Sequence, residues 1–206
     1  RCLIACGSNL GDRARALDDA VNALQRAPST QVEAHSRWHE TRAIGGGNQS
    51  SYLNGAIVVS TDLEPLELLT ITQQIEARLG RTLEQRRERW GVRTIDLDLL
   101  FYDDLVVVYR GTGEEVNGDE RTGEVRGGQS FAGPIALLEI PHPRLIFRRF
   151  VLESASEIAG NWRHPLLPYT VSELRQRLSV PASLPSPVIA VASDRTGLMD
   201  ETGPSA

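Results

Sequence analysis

This sequence of 206 residues contains no lysine, because all 22 of its basic residues are arginines. A phosphate-binding loop of the Walker type requires a lysine, and so does covalent catalysis through a Schiff base. Both mechanisms are therefore excluded for the side chains of this chain. Any cationic contact to a phosphate must come from an arginine or from a protonated histidine.

Cysteines and long apolar runs are also scarce. Cys2 and Cys6 are the only cysteines, and on one strand their Cα atoms would lie roughly 13 Å apart, too far for a disulfide. This favours a reducing compartment. No run of 18 apolar residues exists that could cross a membrane. We therefore expect a cytoplasmic protein, and the net charge of -5 argues against general binding of nucleic acid.

The hydrophobic pattern predicts alternating strands and helices. Apolar runs indicate strands at residues 1–6, 32–38 and 52–60. Apolar residues at helical spacing indicate helices at residues 17–24 and 63–79. This order favours an α+β sandwich, with the strands in one layer and the helices in another.

The most specific pattern lies at residues 89–100, which read Arg-Trp-Gly-Val-Arg-Thr-Ile-Asp-Leu-Asp-Leu-Leu. From Thr94 onward the pattern has the period of a strand, which places Asp96 and Asp98 on one face, about 7 Å apart. Two neighbouring carboxylates repel each other unless a cation lies between them. Mg²⁺ prefers carboxylate and phosphate oxygens, so this pair predicts a magnesium site.

A cluster of arginines precedes the acidic pair. An acidic pair on a strand and an arginine-rich segment are each common without a ligand, but together they favour binding and transfer of a polyphosphate. Trp90, between them, offers a flat ring for stacking. The cluster consists of Arg78, Arg81, Arg86, Arg87, Arg89 and Arg93.

Residues 89–100 resemble the signature of the 6-hydroxymethyl-7,8-dihydropterin pyrophosphokinase family. The resemblance extends from about Leu3 to Leu178 and implies a ferredoxin-like two-layer α/β sandwich with a central, mainly antiparallel sheet. It implies transfer of pyrophosphate from ATP to the hydroxymethyl group of 6-hydroxymethyl-7,8-dihydropterin, with release of AMP, in folate biosynthesis. ATP is then the co-substrate, and two Mg²⁺ ions are the cofactors. We expect residues 1–178 to form a single domain and the protein to be a monomer.

The resemblance also implies roles for individual residues. Catalysis and metal binding fall to Asp96 and Asp98, with Arg81 and Arg93 assisting transfer. The pterin contacts are Thr41, Ile44, Tyr52, Asn54, Trp90 and Phe150. The ATP contacts are Gln73, Glu76, Arg81, Arg89, Trp90, Arg93, His142 and Arg148. Two positions depart from the family pattern, since Arg42 replaces a usual proline and Leu83 replaces a further arginine.

Two other classes of function stay open. Another Mg²⁺-dependent nucleotidyl or phosphoryl transferase could use the same acidic pair, and it would release pyrophosphate or ADP from ATP. A non-catalytic ferredoxin-like module for single-stranded RNA would not depend on Asp96, and the acidic balance and few strand aromatics of the chain argue against it.

The sequence predicts little regular structure in two segments. Residues 103–133 are rich in glycine, acidic residues and threonine, which indicates a surface insertion in the domain. Residues 179–206 contain proline, serine and glycine, and we expect them to form a flexible tail.

If residues 103–133 are a passive insertion, deletion of residues 111–128 should leave the turnover rate close to that of the intact chain. Steady-state kinetics on both proteins, with circular dichroism to verify folding, measures this. A folded but inactive deletion variant would contradict the interpretation.

Overall fold

The computed structural model describes residues 1–42, 50–82, 92–109 and 138–179. The central sheet contains five strands, in the order β2-β4-β1-β5, with β3 pairing with the beginning of β4. All of their pairings are antiparallel. The strands are β1 (Cys2–Ser8), β2 (Thr30–His35), β3 (His39–Thr41), β4 (Tyr52–Thr61) and β5 (Asp96–Tyr102).

Helices cover both faces of this sheet. The helices α1 (Arg13–Gln25) and α2 (Pro65–Arg78) pack on one face, and α3 (Arg149–Ala159) and α4 (Val171–Ser179) pack on the other. A 3₁₀ turn (Leu145–Phe147) leads into α3. Pro65 lies in the first turn of α2, where its missing N–H costs no hydrogen bond.

The central strand β1 is buried on both faces because each face meets a helical layer. Ile4 and Cys6 belong to the core beneath α1 and α2, whereas Leu3 and Ala5 belong to the core beneath α3 and α4. A strand buried on both faces reads as a continuous apolar run. This explains why the first residues of the sequence show no polar alternation.

The predicted fold class is confirmed. The order β1-α1-β2-β4-α2-β5, with all neighbours antiparallel, is the ferredoxin-like arrangement. The sheet with α1 and α2 forms the two layers that were predicted, and α3 and α4 add a further layer on the opposite face.

The segment predicted as an insertion contains an ordered part. Residues Val107–Tyr109 form β6, which pairs with β7 (Leu138–Ile140) in a separate two-stranded sheet. Residues 110–137 and 180–206 lie outside the described part of the chain. The domain boundaries therefore stay a prediction.

Two further expectations concern cysteines and membranes. Both Cys2 and Cys6 are buried and free, as their spacing predicts. Among the described helices, none combines the length and apolar character needed to cross a membrane.

Gly55 of β4 lies against the ring of Trp38, which is fixed by a hydrogen bond of 2.9 Å from its Nε1 to Asp18. A Cβ at position 55 would approach the Trp38 ring carbons to 2.3 Å. We expect Gly55→Ala to lower the free energy of unfolding by about 1–3 kcal/mol through overpacking, as measured by urea denaturation. In a Trp38→Leu background the same substitution should cost much less. An equal loss in both backgrounds would rule out the contact with Trp38 as the cause.

Candidate active site

The two carboxylates of β5 lie on the same face of the sheet, as the sequence pattern predicts. Asp96 pairs with Gly7 and Asp98 with Ala5 on the neighbouring β1. Leu97 and Leu99 point into the core beneath α1 and α2. The small side chains opposite the acidic pair leave room for a cavity above the sheet.

Asp96 is held between two guanidiniums. One carboxylate oxygen accepts from Nη1 of Arg81 at 2.6 Å, and the other accepts from Nη1 of Arg93. Arg81 also donates to Glu76 at 2.5 Å, and Glu76 accepts from the backbone N–H of Leu97 at 2.7 Å. Glu76 therefore connects α2 to β5 and fixes Arg81, whose side chain is only 9% exposed.

Asp98 is less well compensated than Asp96. Its side chain is 33% exposed and pairs with Nη1 of Arg148 at 3.3 Å. Desolvation and the neighbouring charge of Asp96 raise the pKa of Asp98 to about 6, against the opposing attraction of Arg148, Arg93 and Arg81. A cation placed between the two carboxylates would relieve this repulsion.

His142 is uncharged at neutral pH in this arrangement. Burial and the charges of Arg148 and Arg144 lower its pKa to about 4. The Nδ1 atom accepts a hydrogen bond of 3.1 Å from the backbone N–H of Arg144, so the neutral ring carries its proton on Nε2. Near pH 7 the cationic groups around the acidic pair are therefore all arginines.

A cavity of about 290 Å³ joins the acidic pair to the residues expected to bind the pterin. Asn54 is 6% exposed, and its Nδ2 donates to Oγ1 of Thr41 at 2.7 Å. On β1, Gly7 lies between Asn54 of β4 and Asp96 of β5. A Cβ at Gly7 would come within 2.7 Å of Oδ1 of Asn54, so this glycine keeps the two halves of the cavity connected.

The ends of β3 and β4 are tied to α1 beside this cavity. Nη1 of Arg13 donates to Glu40 at 3.0 Å and to the backbone oxygen of Ser51 at 2.8 Å. The hydroxyl of Ser51 donates to the same carboxylate oxygen of Glu40 at 2.5 Å. These contacts fix the residues next to Thr41 and Tyr52, which line the cavity.

The sequence pattern of the 7,8-dihydro-6-hydroxymethylpterin-pyrophosphokinase (HPPK) family matches residues 3–160. This chain belongs to the HPPK family. The match confirms the predicted family. At the level of the family it also confirms the predicted reaction, which is transfer of pyrophosphate from ATP to the hydroxymethylpterin in folate biosynthesis by an ATP-dependent diphosphotransferase.

Individual proteins agree with this assignment. The chain is 37% identical over 155 residues to a 2-amino-4-hydroxy-6-hydroxymethyldihydropteridine pyrophosphokinase of Bacillus subtilis, covering 75% of each protein. It is 42% identical over 102 residues to a bifunctional protein, FolKE, of Lactococcus lactis, covering 50% of this chain and 28% of that protein. A crystal structure of Plasmodium falciparum HPPK-DHPS with pteroate matches with a TM-score of 0.59 at 15% identity, covering 86% of this chain and 42% of that chain. The structural likeness establishes the fold alone.

Most of the predicted HPPK site residues within the described ranges converge on the cavity. Arg81 contacts both Asp96 and Glu76, and His142 lies near Arg148. Gln73 is half-buried on α2 and is not among the cavity-lining residues. Ile44, Arg89 and Trp90 lie outside the described residues, as does Leu83, so their roles stay predictions. The cavity is lined by Thr41, Tyr52, Asn54, Arg93, Asp96, Asp98, Arg148 and Phe150.

Sequence reasoning missed three residues of this site. Asn9 is 2% exposed, its Oδ1 accepts from the backbone N–H of Arg93 at 2.6 Å, and its own N–H donates to the Arg93 oxygen at 3.0 Å. The sequence indicates only a strand-to-helix turn at Asn9. Arg42 and Arg144 also line the cavity. The sequence marks Arg42 only as a departure from the family pattern and Arg144 only as a neighbour of His142, and neither mark indicates a role in the site.

The partly desolvated charge of Asp98 predicts an effect of pH on stability. Its pKa of about 6 in the folded protein exceeds the ordinary value of 3.8, so the folded protein binds this proton more tightly than the unfolded chain does. Ionisation of Asp98 therefore lowers the free energy of unfolding as pH rises from about 4 to about 6. We expect Asp98→Asn to raise the free energy of unfolding by about 1 kcal/mol near pH 8, allowing for solvent screening in the cavity, and to have no such effect near pH 4.

Denaturant titrations at both pH values measure this difference. Asp104→Asn, at an exposed position, is the matched control and should show no gain at either pH. A gain for Asp98→Asn that is equal at pH 4 and pH 8 would contradict the assignment of the effect to ionisation.

Proposed function

We propose that this chain itself carries out the family reaction in the cavity above β1. The hydroxymethyl oxygen of 6-hydroxymethyl-7,8-dihydropterin attacks the β-phosphorus of ATP, a new O–P bond forms, and the bond between the β-phosphorus and the bridging oxygen breaks to release AMP. The hydroxyl proton is lost to solvent. The observation that carries this proposal is the single cavity that joins Thr41 and Asn54 to Asp96 and Asp98.

The pterin would occupy the part of the cavity next to β4. Asn54 can present both an amide donor and a carbonyl acceptor to the polar edge of a heterocycle. Tyr52 and Phe150, both half-buried at the cavity wall, offer aromatic surface for its ring. The hydroxymethyl group would then point along β1 toward the acidic pair.

The acidic pair fits a divalent cation that is shared with phosphate. Mg²⁺ at this pair would neutralise phosphate charge and lower the pKa of the attacking hydroxyl. Within the described ranges no group of three or more His, Cys, Asp or Glu residues could form a complete protein cage, so phosphate and water would supply the other ligands. Two ions at Asp96 and Asp98 stay our prediction.

The arginines would supply the charge that phosphoryl transfer requires. Arg81 and Arg93 already point toward the acidic pair, and Glu76 and Asn9 hold them there. Preorganised guanidiniums stabilise negative charge that develops on the leaving group without costly rearrangement. The monomeric state and the cytoplasmic location are not needed for this reaction and stay predictions.

Product analysis tests the proposal. The protein is incubated with ATP, Mg²⁺ and 6-hydroxymethyl-7,8-dihydropterin, and the products are separated by chromatography. We expect AMP and a pyrophosphorylated pterin, formed only when all three are present. Release of ADP or free pyrophosphate would instead support another phosphoryl or nucleotidyl transferase.

Removal of one carboxylate gives a second, sharper test. We expect Asp98→Ala to lower turnover by at least about a thousandfold while the circular dichroism spectrum stays unchanged. Asp104→Ala, at an exposed position outside the cavity, should keep normal turnover. Near-normal turnover in a folded Asp98→Ala protein would overturn the role of the acidic pair.

A further inference from the structure

The charged groups around the acidic pair balance each other before any substrate binds. Three carboxylates and three guanidiniums form two separate groups of ion pairs, one around Asp96 and one at Asp98. In each of these guanidiniums the Nη1 atom already contacts a carboxylate, so part of its positive charge is offset within the protein. The carboxylates are Glu76, Asp96 and Asp98, and the guanidiniums are Arg81, Arg93 and Arg148.

Two other arginines of the cavity are not committed in this way. Arg42, directly after β3, and Arg144, just before the 3₁₀ turn, both line the cavity and are exposed. Neither guanidinium has a hydrogen bond or ion pair to another residue of the described ranges. The positive charge of Arg144 acts within the site, since it helps to lower the pKa of His142.

We propose that Arg42 and Arg144 are additional binding residues for the polyphosphate of ATP and for the pyrophosphate group of the product. This inference rests on the proposed function, because it assumes that ATP binds in this cavity. A polyphosphate brings several negative charges to a site where three guanidiniums already face three carboxylates, so two further guanidiniums supply positive charge that no carboxylate of the described ranges offsets. The planar fork of an arginine matches two phosphate oxygens.

The two residues come from different segments of the chain. Arg42 follows Thr41 and therefore lies at the pterin side, whereas Arg144 lies beside His142 and Arg148. A polyphosphate held by both would extend from the acidic pair toward the pterin, as transfer requires.

Binding measurements give the first test. Titration calorimetry with Mg²⁺ and a non-hydrolysable ATP, the α,β-methylene analogue, should show affinity lowered about three- to tenfold in Arg42→Ala and in Arg144→Ala, as expected for exposed charge-assisted contacts. Arg149→Ala removes the same charge from the exposed pair with Glu153 on α3 and should leave affinity unchanged. Unchanged affinity in both cavity variants would overturn the proposal.

The absence of lysine permits a positional test. Arg42→Lys and Arg144→Lys each introduce the only lysine of the chain, provided that any tag lacks lysine. An acyl phosphate of ATP acylates an amine near its phosphates, because the amine attacks the acyl carbon, an amide forms and ATP leaves. We expect mass spectrometry to find the amide at the introduced lysine in both variants, with excess ATP suppressing it. Arg149→Lys should stay unlabelled.

Arg148→Lys separates failure of this inference from failure of the proposed function. If Arg148→Lys is labelled and neither Arg42→Lys nor Arg144→Lys is, ATP binds in the cavity but these two arginines do not hold its phosphates. If none of the three is labelled, ATP binds elsewhere and both proposals fail. Labelling of the N-terminal amine alone counts as this second outcome.

Discussion

The carboxylate of Asp96, held between two guanidiniums, connects the parts of this site. Arg81 reaches it from beyond the end of α2, and Arg93 reaches it from the segment that precedes β5. Glu76 fixes the first arginine and Asn9 fixes the backbone of the second. A largely buried charge is tolerated only when it is paired and hydrogen-bonded, so the positions of α2, of β5 and of the turn after β1 all depend on this set of contacts.

The arginines offset the charge of Asp96 more fully than that of Asp98, so the repulsion between the two carboxylates acts mainly on Asp98. Both oxygens of Asp96 contact arginines. Within the described ranges, the ion pair of Asp98 is the contact of 3.3 Å with Arg148. The cost of placing two like charges on one strand face therefore falls on Asp98, whose pKa rises to about 6. Strain of this kind is common at functional sites, where a ligand relieves it. This difference in charge compensation between Asp96 and Asp98 explains why the acidic pair suits a cation that phosphate also binds, rather than a cation whose ligands all come from the protein.

The sequence predicts those features of the structure that depend on local periodicity. The alternation around Asp96 and Asp98 fixes their common face, and the apolar spacing of α1 and α2 fixes the layer beneath them, because both patterns depend on near neighbours. The bracing contacts could not be predicted in this way. Glu76 meets Leu97 across 21 positions, and Asn9 meets Arg93 across 84 positions. Only the folded sheet brings such residues together, and nothing in their local sequence indicates these pairings.

The absence of lysine has a consequence for how pH acts on the site. An arginine keeps its charge at every pH at which the protein is folded, and His142, with a pKa of about 4, is neutral across the physiological range. The cationic part of the cavity therefore does not titrate near neutrality. Asp98, with a pKa of about 6, gains a proton as pH falls, which removes negative charge where a divalent cation would bind. Acidification thus weakens cation binding through Asp98, while the charge of the arginines stays constant.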